Sequence, residues 1–214
     1  MKLSYAIPVC NEIDEIKRLL TFLIENKRDE DEIVIVYDSV NGTKEVREYL
    51  KSIVSGLTYN PIKDYPIRWY GYDFDGDFGK MKNWLTDMCT GDYVFQIDAD
   101  EMVDNYLFAA LPQVLEHNEV DVILVPRINT VEGLTPEHVS KWGWRVDEKG
   151  YVNFPDYQWR IYKNSDDIKW INKVHEKLDG YTTLSHLPRT PEWCLKHHKT
   201  IDRQEIQNQY YETL

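Results

Sequence analysis

Short, nearly unbroken apolar runs alternate with amphipathic stretches through the first half of the chain. Leu3 to Val9 reads as a strand; after Asn11 and Glu12, the residues Ile13, Ile16, Leu19, Leu20, Leu23 and Ile24 recur at helical spacing to about Asn26. Glu32 to Tyr37 ("EIVIVY") is a second strand, Asp38 to Thr43 supplies turn residues, and a second helix runs through roughly Val54. "PIRWYGY" from Pro66 gives a third strand, Gly79 to Met88 a third helix, and Tyr93 to Ile97 a fourth strand. Strands apolar along their whole length are buried on both faces, which predicts an α/β fold with a mostly parallel central sheet flanked by helices. With 214 residues, one domain is expected, with 1–126 as its first half and 127–214 as a smaller β/α part.

The rhythm changes after "VDVILV" at Val120 to Val125. Ile128 to Asp156 is rich in Gly, Trp and charge and reads as an excursion over a site; "VNFPDYQWRIYKNSDDIKWINKVHEKL" reads as short strands and turns. "KTIDRQEIQNQYYETL" reads as a polar terminal helix reaching Leu214, on which a second copy could pack as a homo-oligomer.

Polar residues collect where the first four strands end: Asn11 and Glu12, then Asp38, then Asp73, Asp75 and Asp77, then Asp98, Asp100 and Glu101. Any one of them could cap a helix. Their recurrence at one edge is more telling, because ligands of parallel sheets bind outside the carboxyl ends of the strands. Asp98 and Asp100 can reach one small volume, and like charges that close are costly unless a cation lies between them. Oxygen ligands favour Mg²⁺ or Mn²⁺, ions that typically stay attached to substrate phosphates. A formal charge of −12 argues against nucleic acid or an anionic membrane as partner, and an anionic ligand would need such a cation.

Other motifs fail on inspection. "DFDGDFGKMKNW" has acids where an EF-hand loop has them, but Phe78 stands where Gly is required and Trp84 where Glu is required. No G-x-x-x-x-G-K-[ST], G-x-G-x-x-G or G-x-S-x-G occurs, and an Asp-x-Asp phosphatase would carry its pair after the first strand. Cys10, Cys89 and Cys194 lack metal or disulfide spacing and read as reduced thiols of a cytoplasmic protein. No apolar run is long enough to span a membrane.

"IPVCNEIDEIKRLL", "IVIVYDSVNGTKEV" and "DGDFGKMKNWLTDMCTGDYVFQIDADE" resemble, in order and spacing, the blocks of a family 2 glycosyltransferase of the GT-A fold. The resemblance covers roughly residues 1–126 and continues more weakly through "QWRIYKNSDDIKWINKVHEKLDGY". It implies a nucleotide-sugar donor, with UDP favoured, and an acceptor glycan, lipid-linked sugar or protein. Pro8, Asn11, Glu12 and Asp38 would line the nucleoside pocket, and Asp77, Lys82 and Asn83 would hold base or ribose. A Lys at position 82, where such enzymes often have Arg, lacks the planar fork for bidentate contacts. Asp98 would contact ribose or the metal shell, Asp100 would bind Mn²⁺ or Mg²⁺, and Glu101 would stand behind them. A late His often completes such a metal site; His197 is the first choice and His198 the second, although a His pair before a polar helix is otherwise simply solvated.

The resemblance further implies inversion, with a carboxylate taking the proton of the attacking hydroxyl while the metal stabilises the leaving diphosphate. Glu176 of "KVHEKL" is the candidate base and Asp156 the alternative, and Trp142, Trp144, Trp159 or Trp170 could stack on sugar faces. Two other functions use the same features: nucleotidyl transfer, which would want a basic Gly-rich loop where "PVCNEIDE" is acidic, and a nucleotide- or sugar-binding module without turnover.

Overall fold

The computed structural model describes residues 1–54 and 66–211, so the last residues expected in the terminal helix, 212–214, lie outside it. The first half is strand and helix in alternation: β1 (Leu3–Val9), α1 (Ile13–Asn26), β2 (Glu32–Asp38), α2 (Lys44–Val54), β3 (Ile67–Tyr72), α3 (Phe78–Asp87) and β4 (Tyr93–Gln96). β5 (Glu101–Val103) and α4 (Asn105–His117) lead into β6 (Val122–Glu132), α5 (Pro136–Trp142) and β7 (Val152–Lys163). The chain continues through β8 (Lys169–Ile171), β9 (Lys177–Asp179), β10 (Leu184–His186) and β11 (Leu195–Thr200) to α6 (Ile201–Tyr211).

β3, β2, β1 and β4 lie side by side and parallel, as expected of strands that alternate with helices. The two-residue period divides their side chains between the faces. Tyr5, Ile7, Ile33, Ile35 and Phe95 point to one side, where α1, α2 and α4 cover them with Leu19, Leu20, Leu23, Leu50 and Leu111. Ala6, Val34, Val36 and Val94 point to the other, against Met81 and Leu85 of α3 and Tyr162 and Trp170. Each large apolar side chain buried this way contributes roughly 1.5–3 kcal/mol.

The sheet then turns mixed. β7 runs antiparallel to both β4 and β6, β11 runs parallel to β6, and β5 pairs antiparallel with β11. β8 and β9 form a separate antiparallel hairpin. The second half departs from the sequence expectation in its boundaries. β6 continues to Glu132, well past Val125, and β7 begins at Val152, so the excursion narrows to α5 and the loops beside it. The register of this pair shifts at Ile123/Leu124 and again at Arg127/Asn129, which breaks the alternation that would mark so long a strand. Among the described residues no helix is long and apolar enough to cross a membrane.

Candidate active site

The acids after β4 occupy the junction at which the chain leaves the parallel sheet. Ile97 still donates to the Ala6 carbonyl at 2.9 Å; then Glu101 N–H bonds back to the Asp98 carbonyl at 2.9 Å, and the turn hands the chain to β5. β5 pairs Glu101 with His197 on β11, and that register brings Asp100 to the histidine. β11 alternates buried and exposed residues, so His197 faces inward and His198 outward.

His197 Nε2 stands 3.2 Å from Asp100 Oδ2. Its Nδ1 lies 2.7 Å from Asn129 Oδ1, while the amide nitrogen of Asn129 donates to Asp156 Oδ2 at 2.8 Å. A carboxylate only accepts, so the Asn129 oxygen must be the end that meets His197, and His197 must carry a proton on Nδ1. The Nε2 lone pair then confronts a carboxylate oxygen, an arrangement completed by a proton or by a metal ion. Burial raises the Asp100 carboxyl; when Nε2 holds the completing proton, the hydrogen bond and charge of the doubly protonated His197, with Lys199 and Arg203, hold it far below the usual range. One oxygen and one imidazole nitrogen suit Mn²⁺ or Mg²⁺ whose other positions go to phosphate and water. Among the described residues no third His, Cys, Asp or Glu joins them. His198 is not brought to this point: its Nδ1 meets Thr130 Oγ1 at 2.9 Å and its ring is exposed beside Glu132.

Asp98 is engaged differently. Its carboxylate accepts from the Arg160 guanidinium and from Gln96 Nε2 at 2.7 Å. Burial raises its pKa, but Arg160 and then Lys82 outweigh that and bring it down to about 2. Glu101, wholly buried, takes Arg160 Nε at 3.0 Å, Arg160 Nη2 at 2.7 Å and Arg127 Nη1 at 2.9 Å. Arg127 also donates twice to Asp156, at 2.7 and 3.0 Å, so Glu101, Asp98 and Asp156 are joined in one Arg-linked lattice. Asp156, further bonded by Gln158 at 2.7 Å, has a lowered pKa because Arg127 and these donors outweigh its burial.

The β1 and β2 ends form the neighbouring wall. Asp38 accepts from Val40 N–H, Asn41 N–H and Asn41 Nδ2 at 2.9–3.0 Å. Gly42 closes this turn where a β-carbon would fall 2.2 Å from the Asp38 carbonyl oxygen. Glu12 draws its loop together by accepting from Cys10 and Asn11 N–H at 2.8 and 3.0 Å, leaving Asn11 exposed and Pro8 half-buried. Burial and the nearby Asp100 charge raise the Glu12 pKa, with the Cys10 N–H bond and Arg203 opposing. Arg203, from α6, reaches Glu12 at 3.3 Å, Glu15 at 2.6 Å and Asp100 at 3.6 Å.

On the α3 side, Asp77 caps the helix by accepting from Lys80 N–H at 2.9 Å. Lys82 turns to Glu176 at 2.9 Å, and the Asn83 amide is spent on both backbone groups of Trp170 at 2.8 Å each. Trp170 is thereby core, whereas Trp142 and Trp144 pack on each other at the half-exposed end of α5. Arg127, Arg160 and Arg203 were not expected from the sequence. The one signal was a cation, Arg160, placed directly before Ile161 and Tyr162 at the buried end of β7.

Residues 4–182 match the family model for glycosyl transferase family 2. No curated protein matches the chain at a significant level. The structure of S. aureus TarS 1–349 in complex with UDP-GlcNAc superimposes with a TM-score of 0.63 at 16% identity, over 93% of this chain and 59% of that one. The complex of the same protein with UDP gives 0.63 at 16% identity, over 92% and 60%. The chain thus spans about three-fifths of those structures. At such identity the likeness speaks for the fold alone, and the match over residues 4–182 speaks for the family. The chain therefore belongs to glycosyl transferase family 2 and has its GT-A fold.

Proposed function

We propose that the chain moves a sugar from a nucleotide-diphosphate sugar to an acceptor hydroxyl with inversion, using a divalent metal. The pairing of Asp100 with the tautomer-fixed His197 at the carboxyl edge of the sheet carries this reading. UDP is the favoured nucleotide because TarS, which shares the fold, is described with UDP and UDP-GlcNAc. The base and ribose would lie along Pro8 to Glu12, Asp38 and Asp77, with Asp98 at the ribose.

Asp100 and His197 would hold Mn²⁺ or Mg²⁺, which when bound supplies positive charge to the leaving diphosphate. The acceptor oxygen forms its bond to the anomeric carbon as the bond to the diphosphate breaks, and its proton passes to Glu176. Asp156 suits that role less. Arg127, Asn129 and Gln158 crowd its oxygens and depress its basicity, and its bond to Asn129 instead helps orient His197. Three thiols without disulfide partners fit a reducing, cytoplasmic setting.

Calorimetric titration with UDP tests the reading. Binding is expected with Mn²⁺, and its loss by about tenfold or more is expected with EDTA or in Asp100→Ala. Failure of UDP, GDP and dTDP alike, with and without Mn²⁺, would overturn it.

A further inference from the structure

The loop between β8 and β9 carries Glu176, and α3 grips this loop along its first two turns. Phe78 N–H donates to the Lys173 carbonyl at 3.0 Å. Asn83 binds Trp170 N–H and C=O at 2.8 Å each, in the manner of a neighbouring strand. Gly79 lets the Asn172 carbonyl close in, since a β-carbon there would stand 2.5 Å from that oxygen. Asn172 and His175 have φ of 73° and 55°, a left-handed region that residues other than glycine keep only when their surroundings hold them.

Lys82 completes the grip. Its ammonium is 2.9 Å from Glu176 Oε1 and 4.6 Å from the centroid of Trp170, with the two charged side chains only 9% and 14% exposed. So buried a carboxylate is costly unless it is paired, and removing Lys82 takes away its direct ion-pair partner, leaving only the more distant charge of Arg160. Although its charge also acts on Asp98, the ammonium makes its ion pair and its indole contact with the acceptor-side segment.

We propose that Lys82 is a positioning residue for Glu176, that α3 is the template holding the loop that carries this base, and that Lys82 does not bind the nucleotide. The proposal rests on the reading above in taking Glu176 as the proton acceptor. It differs from the expectation that Lys82 holds base or ribose.

The test uses Lys82→Met, Lys82→Arg and Gly79→Ala in the full chain. It reads UDP affinity with Mn²⁺ by calorimetry, and amide hydrogen exchange of residues 172–177 by mass spectrometry. Lys82→Met is expected to leave UDP affinity within about twofold while speeding loop exchange about tenfold or more, and Lys82→Arg to restore slow exchange. Gly79→Ala should loosen the same loop with the ion pair's residues intact. In hydrolysis of UDP-GlcNAc, any turnover should fall in kcat with KM held within about twofold. A loss of UDP affinity of about tenfold in Lys82→Met would overturn the assignment and make Lys82 a nucleotide contact. Unchanged loop exchange in Lys82→Met or Gly79→Ala would overturn it equally. If the unaltered protein binds none of UDP, GDP and dTDP, with or without Mn²⁺, the functional reading falls, and loop exchange alone decides whether α3 is the template.

Discussion

β11 sends His197 inward, where Asn129 fixes its tautomer and Asp100 meets its Nε2, and sends His198 outward to Thr130 and Glu132. Truncating each therefore tests the proposal that His197 is a ligand and His198 a bystander. His197→Ala is expected to weaken Mn²⁺-dependent UDP binding by about tenfold to a hundredfold, while His198→Ala stays within about twofold, both by calorimetry. Equal losses would mean that the strand's alternation does not decide the ligand. The histidine pair drew notice in the sequence because histidines are few, six in 214 residues, and two stand together just before the terminal helix. Arg160 did not. Its importance comes from Glu101, Asp98 and Gln96, partners on a different part of the sheet, and nothing within its own segment encodes their arrival.

At the scale of elements, α3 is where structural and ligand roles overlap most. Asp77 caps its first turn and was also expected to touch the nucleotide. Loss of such a cap costs about 1 kcal/mol, so Asp77→Ala should lower stability by that much in urea without nucleotide present. An accompanying drop in UDP affinity would assign it both roles, and a change in stability alone would leave it a cap. Asn83 was expected at the nucleotide from the resemblance alone; in the structure its amide ties α3 to β8. β1, β2 and β4 were legible because burial on both faces leaves nearly unbroken apolar runs. β6 and β7 were not, because their long antiparallel pairing carries register shifts and half-exposed residues that erase a simple period.

Across the whole molecule, the two edges of the parallel sheet carry charge for opposite purposes. The carboxyl edge gathers the acids of the proposed site, whereas the amino edge satisfies its acid internally. Glu32, 1% exposed at the start of β2, accepts from Ser4 Oγ at 2.7 Å, from Thr90 N–H and Oγ1 at 2.6 and 2.8 Å, and pairs with Lys2 and Arg68 at 2.9 and 3.1 Å. One carboxylate thus ties together the beginnings of β1, β2 and β3 and the approach to β4. Burial alone would raise its pKa, but the bonds from Ser4, Lys2 and Thr90 bring it from 4.5 down to about 2. A carboxyl held low stabilises the fold fully above its unfolded value, and that contribution fades as pH falls from about 4.5 towards 2. The shift corresponds to about 3 kcal/mol at neutral pH. Urea unfolding should therefore show Glu32→Gln less stable than the unaltered protein by about that amount at neutral pH, with the gap shrinking through this acid window. A gap that stays constant down to about pH 2 would mean that Glu32 acts through its hydrogen-bonding shape and not its charge.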